Sequence, residues 1–254
     1  MKRKAHATLN ISTRINKAQK IEILLNLNPT QKSLRILEVG CGSGGIAYYF
    51  ATHKSLECQV SAVDIYDNRV VSEHYDFKKV TGVKLPFDDN SFDIVITNHV
   101  IEHVGDNIQQ LIHIQEIKRV LASNGQCYLA VPNRWMLTEP HYGLKFLSWL
   151  PKKFRTFYLK LWRKGNYYDC EPLSLPELET ILLQANVNFQ NISVEATKVT
   201  LMLEKPHSLL NYVIQKFPNS FLAIFKPIIP TLIYKFSTEK IMQKNTKIIN
   251  TYKK

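Results

Sequence analysis

The chain of 254 residues is poor in cysteine and has no long uninterrupted apolar run. Its four cysteines lie far apart without a CxxC pair, so they suggest no disulfide framework and match no zinc pattern. No stretch reaches about 18 consecutive apolar residues, and no membrane-spanning helix is predicted. No secretory signal peptide follows the basic residues 1–4. These absences favour a cytoplasmic protein with reduced thiols.

Acidic side chains are also scarce, with 21 Asp and Glu against 33 Lys and Arg and a formal net charge of +12. An excess of positive charge concerns partners rather than fold. Nucleic acid, an anionic membrane surface and a phosphorylated substrate are all compatible with it. The hydrophobic fraction of 45% is ordinary for a globular core, and the length suits one α/β domain with an appendage.

The most informative segment is residues 34–45, which read LRILEVGCGSGG. An apolar run ends in Glu38, four glycines follow in six positions, and a helical apolar pattern begins. This order predicts a buried strand, a tight turn and a helix N-terminus. Glycines allow a ligand to approach the backbone closely, and the helix N-terminus favours a polar or anionic group. Gly40, Gly42 and Gly45 also fit the dinucleotide pattern GxGxxG.

Two further segments decide between these alternatives. Residues 58–63 form a second apolar run that ends at Asp64, and residues 85–98 read LPFDDNSFDIVITN. Together with the glycine loop they resemble the class I S-adenosylmethionine-dependent methyltransferases, in particular the small-molecule group that includes enzymes of quinone biosynthesis. The resemblance covers residues 34–132. It implies methyl transfer as the reaction and S-adenosylmethionine as the cofactor.

Strand and helix patterns alternate along the chain, which favours a Rossmann-like α/β fold with an open, mostly parallel sheet and helices on both faces. An amphipathic helix over 8–27 precedes the first strand, and a short helix is expected near 66–73. Later strands are expected over 188–195 and 198–204.

The expected methyltransferase domain covers 1–204, with an aromatic and basic insertion at 133–172 and a basic, helical C-terminal extension at 205–254. A substrate lid, an interfacial membrane surface and a nucleic-acid platform all fit the insertion. The extension mixes lysines with apolar residues, which favours helices at an anionic membrane surface; a helical cap on the core is the alternative.

The resemblance implies that one edge of the sheet binds the cofactor. Glu38 would face its ammonium group and Asp64 its ribose hydroxyls, although each carboxylate could instead cap a loop or a helix. Relatives often carry an acid for the adenine amino group where this chain has Thr81. The predicted cofactor-binding residues are Glu38, Gly40, Gly42, Gly44, Asp64, Thr81 and Asn98.

Methyl transfer from a sulfonium is an in-line displacement that requires positioning and, for an oxygen acceptor, removal of a proton. His99 and His103, after the fourth strand, are candidate bases, as are Glu139 and His141 in the insertion. A structural role remains open for all four. No metal site is predicted, since His99-x-x-Glu102-His103 lacks the order of the zinc-protease motifs.

Residues 131–143 resemble bacterial methyltransferases associated with cell-surface glycans or lipid-linked sugars. O-methylation of a small or lipid-linked glycan-type acceptor is therefore the predicted function. Methylation of carbon or oxygen on a prenylated aromatic, as in quinone assembly, is the alternative. Action on RNA is disfavoured, because no Asn-Pro-Pro-Tyr motif follows the fourth strand. A non-catalytic, cofactor-binding subunit is the alternative of another class, and the oligomeric state is not predicted.

Overall fold

The computed structural model describes residues 10–29 and 33–239, which form a sheet flanked by helices. Its strands are β1 (Leu34–Val39), β2 (Cys58–Asp64), β3 (Asp76–Lys79), β4 (Phe92–Asn98), β5 (Leu121–Pro132), β6 (Thr138–Glu139), β7 (Leu144–Lys145), β8 (Asn188–Asn191) and β9 (Thr231–Ser237). Its α-helices are α1 (Ile11–Leu25), α2 (Gly45–Ala51), α3 (Asn107–Val120), α4 (Lys152–Leu161), α5 (Leu175–Gln184), α6 (Ser193–Glu204), α7 (Leu209–Lys216) and α8 (Asn219–Leu222). Short 3-10 helices cover Ile101–His103, Leu147–Trp149 and Ala223–Ile228.

The main sheet has seven strands in the order β3-β2-β1-β4-β5-β9-β8. Strands β1 to β5 run parallel to one another, whereas β9 pairs antiparallel with both β5 and β8. The Rossmann-like, mostly parallel sheet predicted from the alternating pattern is therefore confirmed. Parallel strands bring their carboxyl ends to one edge, and this edge collects the predicted site residues.

Helices cover both faces of the sheet, because successive side chains of a strand point to opposite sides. Ile36 of β1 packs in a core with Phe50 of α2 and with residues of α1 and α6. Its neighbour Leu37 packs in the opposite core with Ile114 of α3 and residues of α5. Each strand of the sheet centre thus contributes to two apolar layers.

Helix α1 packs against α2 and α6. Its buried face includes one charged residue, Arg14. Asn10 caps its start by accepting from the N–H of Thr13, and its buried positions fall at helical spacing. Those buried residues are Arg14, Ala18, Ile21 and Leu25. The predicted helix over 8–27 is shorter in the structure, and positions 8 and 9 lie outside the described residues.

The insertion leaves and rejoins the domain at one point, where Asn133 and Leu173 form an isolated parallel bridge. It contains the β6–β7 hairpin, a 3-10 helix and α4. A small apolar core of its own holds it together, formed by Leu144, Leu147, Leu159, Tyr168 and Cys170. These contacts explain how an aromatic and basic segment of this length keeps a defined structure.

Two local predictions about secondary structure are wrong, and the strand expected over 188–195 is shorter, because it ends at Asn191 and α6 begins at Ser193. Residues 198–204 belong to α6 rather than to a strand, because α6 buries one face against α1. Residues 66–73 form no helix, since the N–H groups of Val70 and Val71 donate to the carbonyl of Ser43 instead of to their own turn. Tertiary contacts override local propensity in both segments.

The expected helical extension at 205–254 lies within the described residues only as far as 239, and this part contains a strand as well as helices. Strand β9 lies between β5 and β8, and its Tyr234 and Phe236 are fully buried. Residues 231–237 are therefore part of the sheet rather than an appendage. Among residues 10–29 and 33–239, no helix combines the length and the apolar character needed to cross a membrane.

Candidate active site

The glycine loop after β1 has a backbone shape that demands glycine. Gly40, Gly42 and Gly44 have φ angles of 75°, 54° and 80°, a region that other residues rarely adopt. A Cβ at Gly40 would overlap Cγ2 of Val100, which follows β4. The loops after β1 and β4 are therefore in direct contact at the carboxyl edge of the sheet.

The three glycine N–H groups all donate to acceptors of the protein itself. The glycines thus contribute space and curvature, while the loop amides hold the loop in place. The acceptors are the carbonyl of Val63 at 2.8 Å for Gly40, Oδ2 of Asp64 at 2.9 Å for Gly42 and the carbonyl of Cys41 at 3.0 Å for Gly44.

Glu38 and Arg14 lie together beneath the glycine loop. The Glu38 side chain is buried, and its Oε2 accepts from the N–H of Ala47 at 2.8 Å. Burial raises the pKa of Glu38 to about 8, against the opposing effect of the Arg14 charge. Arg14 of α1 is also buried, and its Nε has no hydrogen-bond partner within the described part of the chain. A ligand with a carboxylate and an ammonium group fits this pair, because the Arg14 cation would meet the carboxylate and an adjacent ammonium group would favour loss of the Glu38 proton.

Asp64 lies at the end of β2, as the resemblance implies. Its Oδ2 holds Gly42, and its Oδ1 accepts from the N–H of Tyr66 at 3.2 Å. The carboxylate remains partly exposed and keeps lone pairs for hydroxyl donors. Val80 donates to the Asp64 carbonyl at 2.9 Å, and the exposed Thr81 follows at the same edge.

The segment between β2 and β3 covers one side of the glycine loop. Val70 and Val71 donate to the carbonyl of Ser43 at 3.0 Å and 3.3 Å, and the Tyr75 hydroxyl donates to the carbonyl of Val71 at 2.6 Å. A Cβ at Gly44 would overlap that hydroxyl. The absence of a helix here thus leaves an irregular segment packed directly on the loop.

Polar residues follow β4 at the same edge. Asn98 is buried, and its Nδ2 has no hydrogen-bond partner among the residues that the structure describes. His99 has a φ of 60°, and its N–H donates to the carbonyl of Ala130 at 2.9 Å. The left-handed conformation turns the chain out of the strand directly beside the glycine loop. An unpaired buried donor is costly, so the Asn98 amide favours a ligand at this position.

Glu102 places a negative charge beneath two imidazoles. Its side chain is fully buried, and neither oxygen accepts a hydrogen bond of standard geometry from the described residues. Oε1 lies 3.5 Å from Nδ1 of His99 and 3.9 Å from Nε2 of His103. Burial alone would raise the pKa of Glu102, but the two imidazoles outweigh it and the pKa is lowered. The two imidazoles therefore favour the ionised form of this carboxylate.

A second carboxylate–imidazole pair comes from the insertion. Glu139 is buried at the end of β6, and its Oε1 lies 2.6 Å from Nδ1 of His141. Burial disfavours a charged His141, but the hydrogen bond and charge of Glu139 prevail and raise its pKa. The rings of His103 and His141 are 5.3 Å apart. The structure thus brings the insertion to the edge that carries His99, so all four candidate bases belong to one region.

An open groove of about 690 Å³ lies elsewhere, at the turn into β4. Lys78, Phe87, Glu116 and Arg119 are among its lining residues, and it shares none with the groups described above. Arg119 forms ion pairs with Glu116 and Asp89 there. These pairs brace the turn before β4.

Three residues at this edge were not predicted from the sequence as site residues. Arg14 carried a detectable signal, because a charged residue stands at the spacing of the buried stripe of α1. Glu102 stands in the motif with His99 and His103, yet its complete burial follows only from the fold. Cys170 carried no signal, since its neighbours in space are distant in sequence.

Comparison with known proteins agrees with this architecture. Residues 37–129 match the family model of the methyltransferase domain. The chain is 29% identical over 163 residues to the ubiquinone biosynthesis O-methyltransferase of Rickettsia akari, covering 58% of this chain and 61% of that protein. It is 27% identical over 152 residues to the chloroplastic tocopherol O-methyltransferase of Arabidopsis thaliana, covering 54% and 42% of the two chains.

A solved structure also has the same fold. The YcgJ protein of Bacillus subtilis superposes with a TM-score of 0.53 at 17% identity, covering 87% of this chain and 99% of that one. The chain spans about half the length of the curated relatives that it matches.

Proposed function

Since the chain belongs to the class I S-adenosylmethionine-dependent methyltransferase family through residues 37–129, we propose that it methylates a hydroxyl oxygen of a small or lipid-linked acceptor. One observation carries the proposal: the contact between Gly40 and Val100 joins the glycine loop to the loop that bears His99. A cofactor cradle and a carboxylate–imidazole pair therefore adjoin at one edge. Methyl transfer to oxygen is accelerated when a general base lies next to the bound cofactor.

The residues at the glycine loop fit S-adenosylmethionine, which supplies an electrophilic methyl group when bound. Arg14 would bind its carboxylate, and Glu38 would face its ammonium group. Asp64 would accept hydrogen bonds from the ribose hydroxyls while it holds Gly42. Asn98 would donate through Nδ2 to a ligand acceptor atom at the end of β4. Each of these side chains is placed by a strand end or by α1, so the cradle is preorganised.

His99 is the group that we assign to the acceptor hydroxyl. Glu102 lies at its Nδ1, which leaves Nε2 to take the proton of the acceptor hydroxyl. The proton then passes from Nε2 to solvent. Glu139 and His141 would line the acceptor site on the side of the insertion, where a second carboxylate–imidazole pair is present.

The proposal of a lipid-linked acceptor is also supported by an exposed apolar surface formed by residues 209–228. Nine large apolar side chains between residues 209 and 228 are exposed: Leu209, Leu210, Tyr212, Val213, Phe217, Phe221, Ile224, Phe225 and Ile228. Lys216 and Lys226 lie among them in the sequence. Exposed apolar groups with interspersed lysines fit the interface of an anionic membrane. Peripheral binding there would give the enzyme access to a lipid-linked substrate.

Vesicle sedimentation tests the membrane contact with a matched pair of variants. Leu209→Ser/Ile224→Ser removes exposed apolar groups from the proposed surface, and Leu183→Ser/Ile108→Ser removes the same residue types at similar exposure elsewhere. We expect the first variant to bind anionic vesicles about tenfold more weakly, because two aliphatic side chains no longer enter the interface. The second variant should bind like the parent protein. Equal binding by all three proteins would contradict the contact.

The reaction is tested in two steps with the purified protein. Calorimetric titration with S-adenosylhomocysteine should give binding, and the same titration with NAD should give none. Transfer of labelled methyl from S-adenosylmethionine is then measured with lipid-linked sugars and, separately, with prenylated phenols. Binding of NAD instead of S-adenosylhomocysteine would overturn the assignment.

A second acceptor class has its own support, because the relative from Rickettsia akari is an O-methyltransferase of ubiquinone biosynthesis by name. Methylation of prenylated phenols alone would establish that class in place of lipid-linked sugars. Cofactor binding without transfer to either acceptor would favour the non-catalytic alternative.

A further inference from the structure

Three side chains of types that can bind metals converge where the insertion meets the loop after β4. His103 belongs to the 3-10 helix after β4, His141 follows the short strand β6, and Cys170 lies near the end of the insertion. The Cys170 Sγ is 3.8 Å from Nδ1 of His103 and 3.8 Å from Nδ1 of His141. One donor atom from each residue lies within 4.8 Å of the other two.

These separations suit a tetrahedral zinc ion. With a Zn–S bond of about 2.3 Å and a Zn–N bond of about 2.0 Å, the sulfur and nitrogen ligands of such an ion are about 3.5 Å apart. The observed 3.8 Å is reached from that geometry by a shift of a few tenths of an ångström. A thiolate with two imidazoles is a ligand set for zinc and similar transition metals, not for magnesium or calcium.

The surroundings of the three residues are anionic. Glu102 and Glu139 are each 1% exposed, and Oδ1 of Asp169 lies 3.6 Å from the Cys170 Sγ. Neither oxygen of Glu102 accepts a standard hydrogen bond within the described residues, although Oε1 is 3.9 Å from Nε2 of His103. A cation would compensate this buried charge, and a carboxylate behind a histidine ligand is a common outer partner in zinc sites.

We propose that His103, His141 and Cys170 bind one zinc ion through Nδ1, Nδ1 and Sγ. Binding displaces the Cys170 thiol proton to the buffer, because the thiolate is the ligand. Nδ1 of His141 likewise gives up the proton that it shares with Oε1 of Glu139, which passes to the buffer, and its lone pair then binds the metal. The site goes beyond the proposed methyl transfer, which requires no metal.

The ion would fasten the insertion to the domain. His103 belongs to the core side of the cleft, whereas His141 and Cys170 lie in the insertion, on either side of α4. Ligands that are 67 positions apart in the chain explain why sequence spacing predicted no metal site here. Metal binding of this kind closes a long loop and stabilises it.

Cobalt(II) titration of the chelator-treated full chain tests the site, because cobalt replaces zinc and reports on its ligands by absorption. We expect one equivalent to bind with a thiolate-to-cobalt charge-transfer band, and zinc to displace it. Cys170→Ser should abolish that band and weaken cobalt binding at least about tenfold. Cys58→Ser, which alters a half-buried thiol in β2, should change neither.

The proposal fails if the parent protein shows no charge-transfer band, or if Cys170→Ser keeps it. Circular dichroism of Cys170→Ser checks that the fold is retained, and His141→Asn supplies a second ligand variant with the same expected weakening of cobalt binding. The titration contains no S-adenosylmethionine, so it is independent of the proposed reaction. Cobalt binding without binding of S-adenosylhomocysteine would overturn the methyltransferase proposal alone, and the converse result would overturn the metal site alone.

Discussion

The side chain of Val100 packs so closely on Gly40 that a Cβ at this glycine would overlap Cγ2 of Val100. The contact joins the end of β1 to the end of β4. Gly40 also has a φ of 75°, so two independent constraints exclude a larger residue. The relative position of the loops after β1 and β4 is therefore fixed by packing.

Substitution Gly40→Ala should disturb this junction. A left-handed alanine costs about 1–2 kcal/mol, and the clash with Val100 adds to it. We expect a lower melting temperature and at least about tenfold weaker binding of S-adenosylhomocysteine by calorimetry. Gly82→Ala is the control, because nothing lies within 4 Å of the added Cβ there. Equal losses in both variants would show that the junction at Gly40 has no special role.

Arg14→Met should weaken binding of the amino-acid end of the cofactor and leave binding of the nucleoside end unchanged. Methionine keeps the packing of the aliphatic stem and removes the charged donors, so the carboxylate of the ligand loses a partner. S-adenosylhomocysteine should bind about 1.5–3 kcal/mol more weakly in calorimetric titration. 5′-Methylthioadenosine lacks that carboxylate and should bind as it does to the parent protein.

Asp64→Asn provides the complementary variant, since both ligands carry the ribose. It should weaken binding of both ligands. Equal effects of Arg14→Met on both ligands would contradict the assignment of Arg14 to the carboxylate.

His99→Gln should slow methyl transfer while cofactor binding is retained. Loss of a general base lowers the turnover number by about 10²–10⁴, whereas the glycine loop and Arg14 are unchanged. Turnover and the affinity for S-adenosylhomocysteine are measured together, and His207→Gln provides a control at an exposed histidine. A fall in affinity with unchanged turnover would assign His99 to the cofactor and leave the reaction without this base.

Glu38→Gln should change the pH dependence of stability. The pKa of Glu38 is raised from 4.5 to about 8 in the folded protein, chiefly by burial, with Arg14 opposing and Asp64 adding to the shift. Between these two pH values the folded state holds a proton that the unfolded state has lost, so stability falls as pH rises through this window. The slope from this group is at most about 1.4 kcal/mol for each pH unit.

Urea unfolding measures the effect at about pH 5.5 and about pH 8, inside this window. The free energy of unfolding of Glu38→Gln should fall less than that of the parent protein between the two pH values, since glutamine does not titrate. A parallel fall in both proteins would mean that Glu38 stays ionised in the folded state throughout.

Local sequence patterns were sufficient to predict the secondary structure at the centre of the sheet. The run that ends in Glu38, the glycines and the following apolar helix predicted β1, the loop and α2, because propensity, turn chemistry and burial agree there. The ends of β2 and β4 were predicted for the same reason. These elements place Asp64 and Asn98 at the expected edge of the sheet.

The remaining elements depend on contacts that the local sequence does not encode. Residues 231–237 were expected to belong to a run of interfacial helices. Pairing with β5 and β8 instead makes them strand β9. In α6 the contact with α1 overrides a strand-like pattern. The convergence of Cys170 with His103 likewise arises from the path of the insertion. These features could not be predicted because the residues that contact each other are far apart in the sequence, not because local propensities are weak.

The position of β9 also bears on how the chain folds during synthesis. Cys127 of β5 pairs with Phe236 of β9, so the ribosome must add every residue between them before β5 gains its second neighbour. Until then the edge of β5 exposes unpaired backbone groups, and β8 has no strand to join. Such distant pairing slows folding and exposes nascent chains to aggregation. The nascent protein would therefore be a substrate for chaperones until residues 231–237 have emerged.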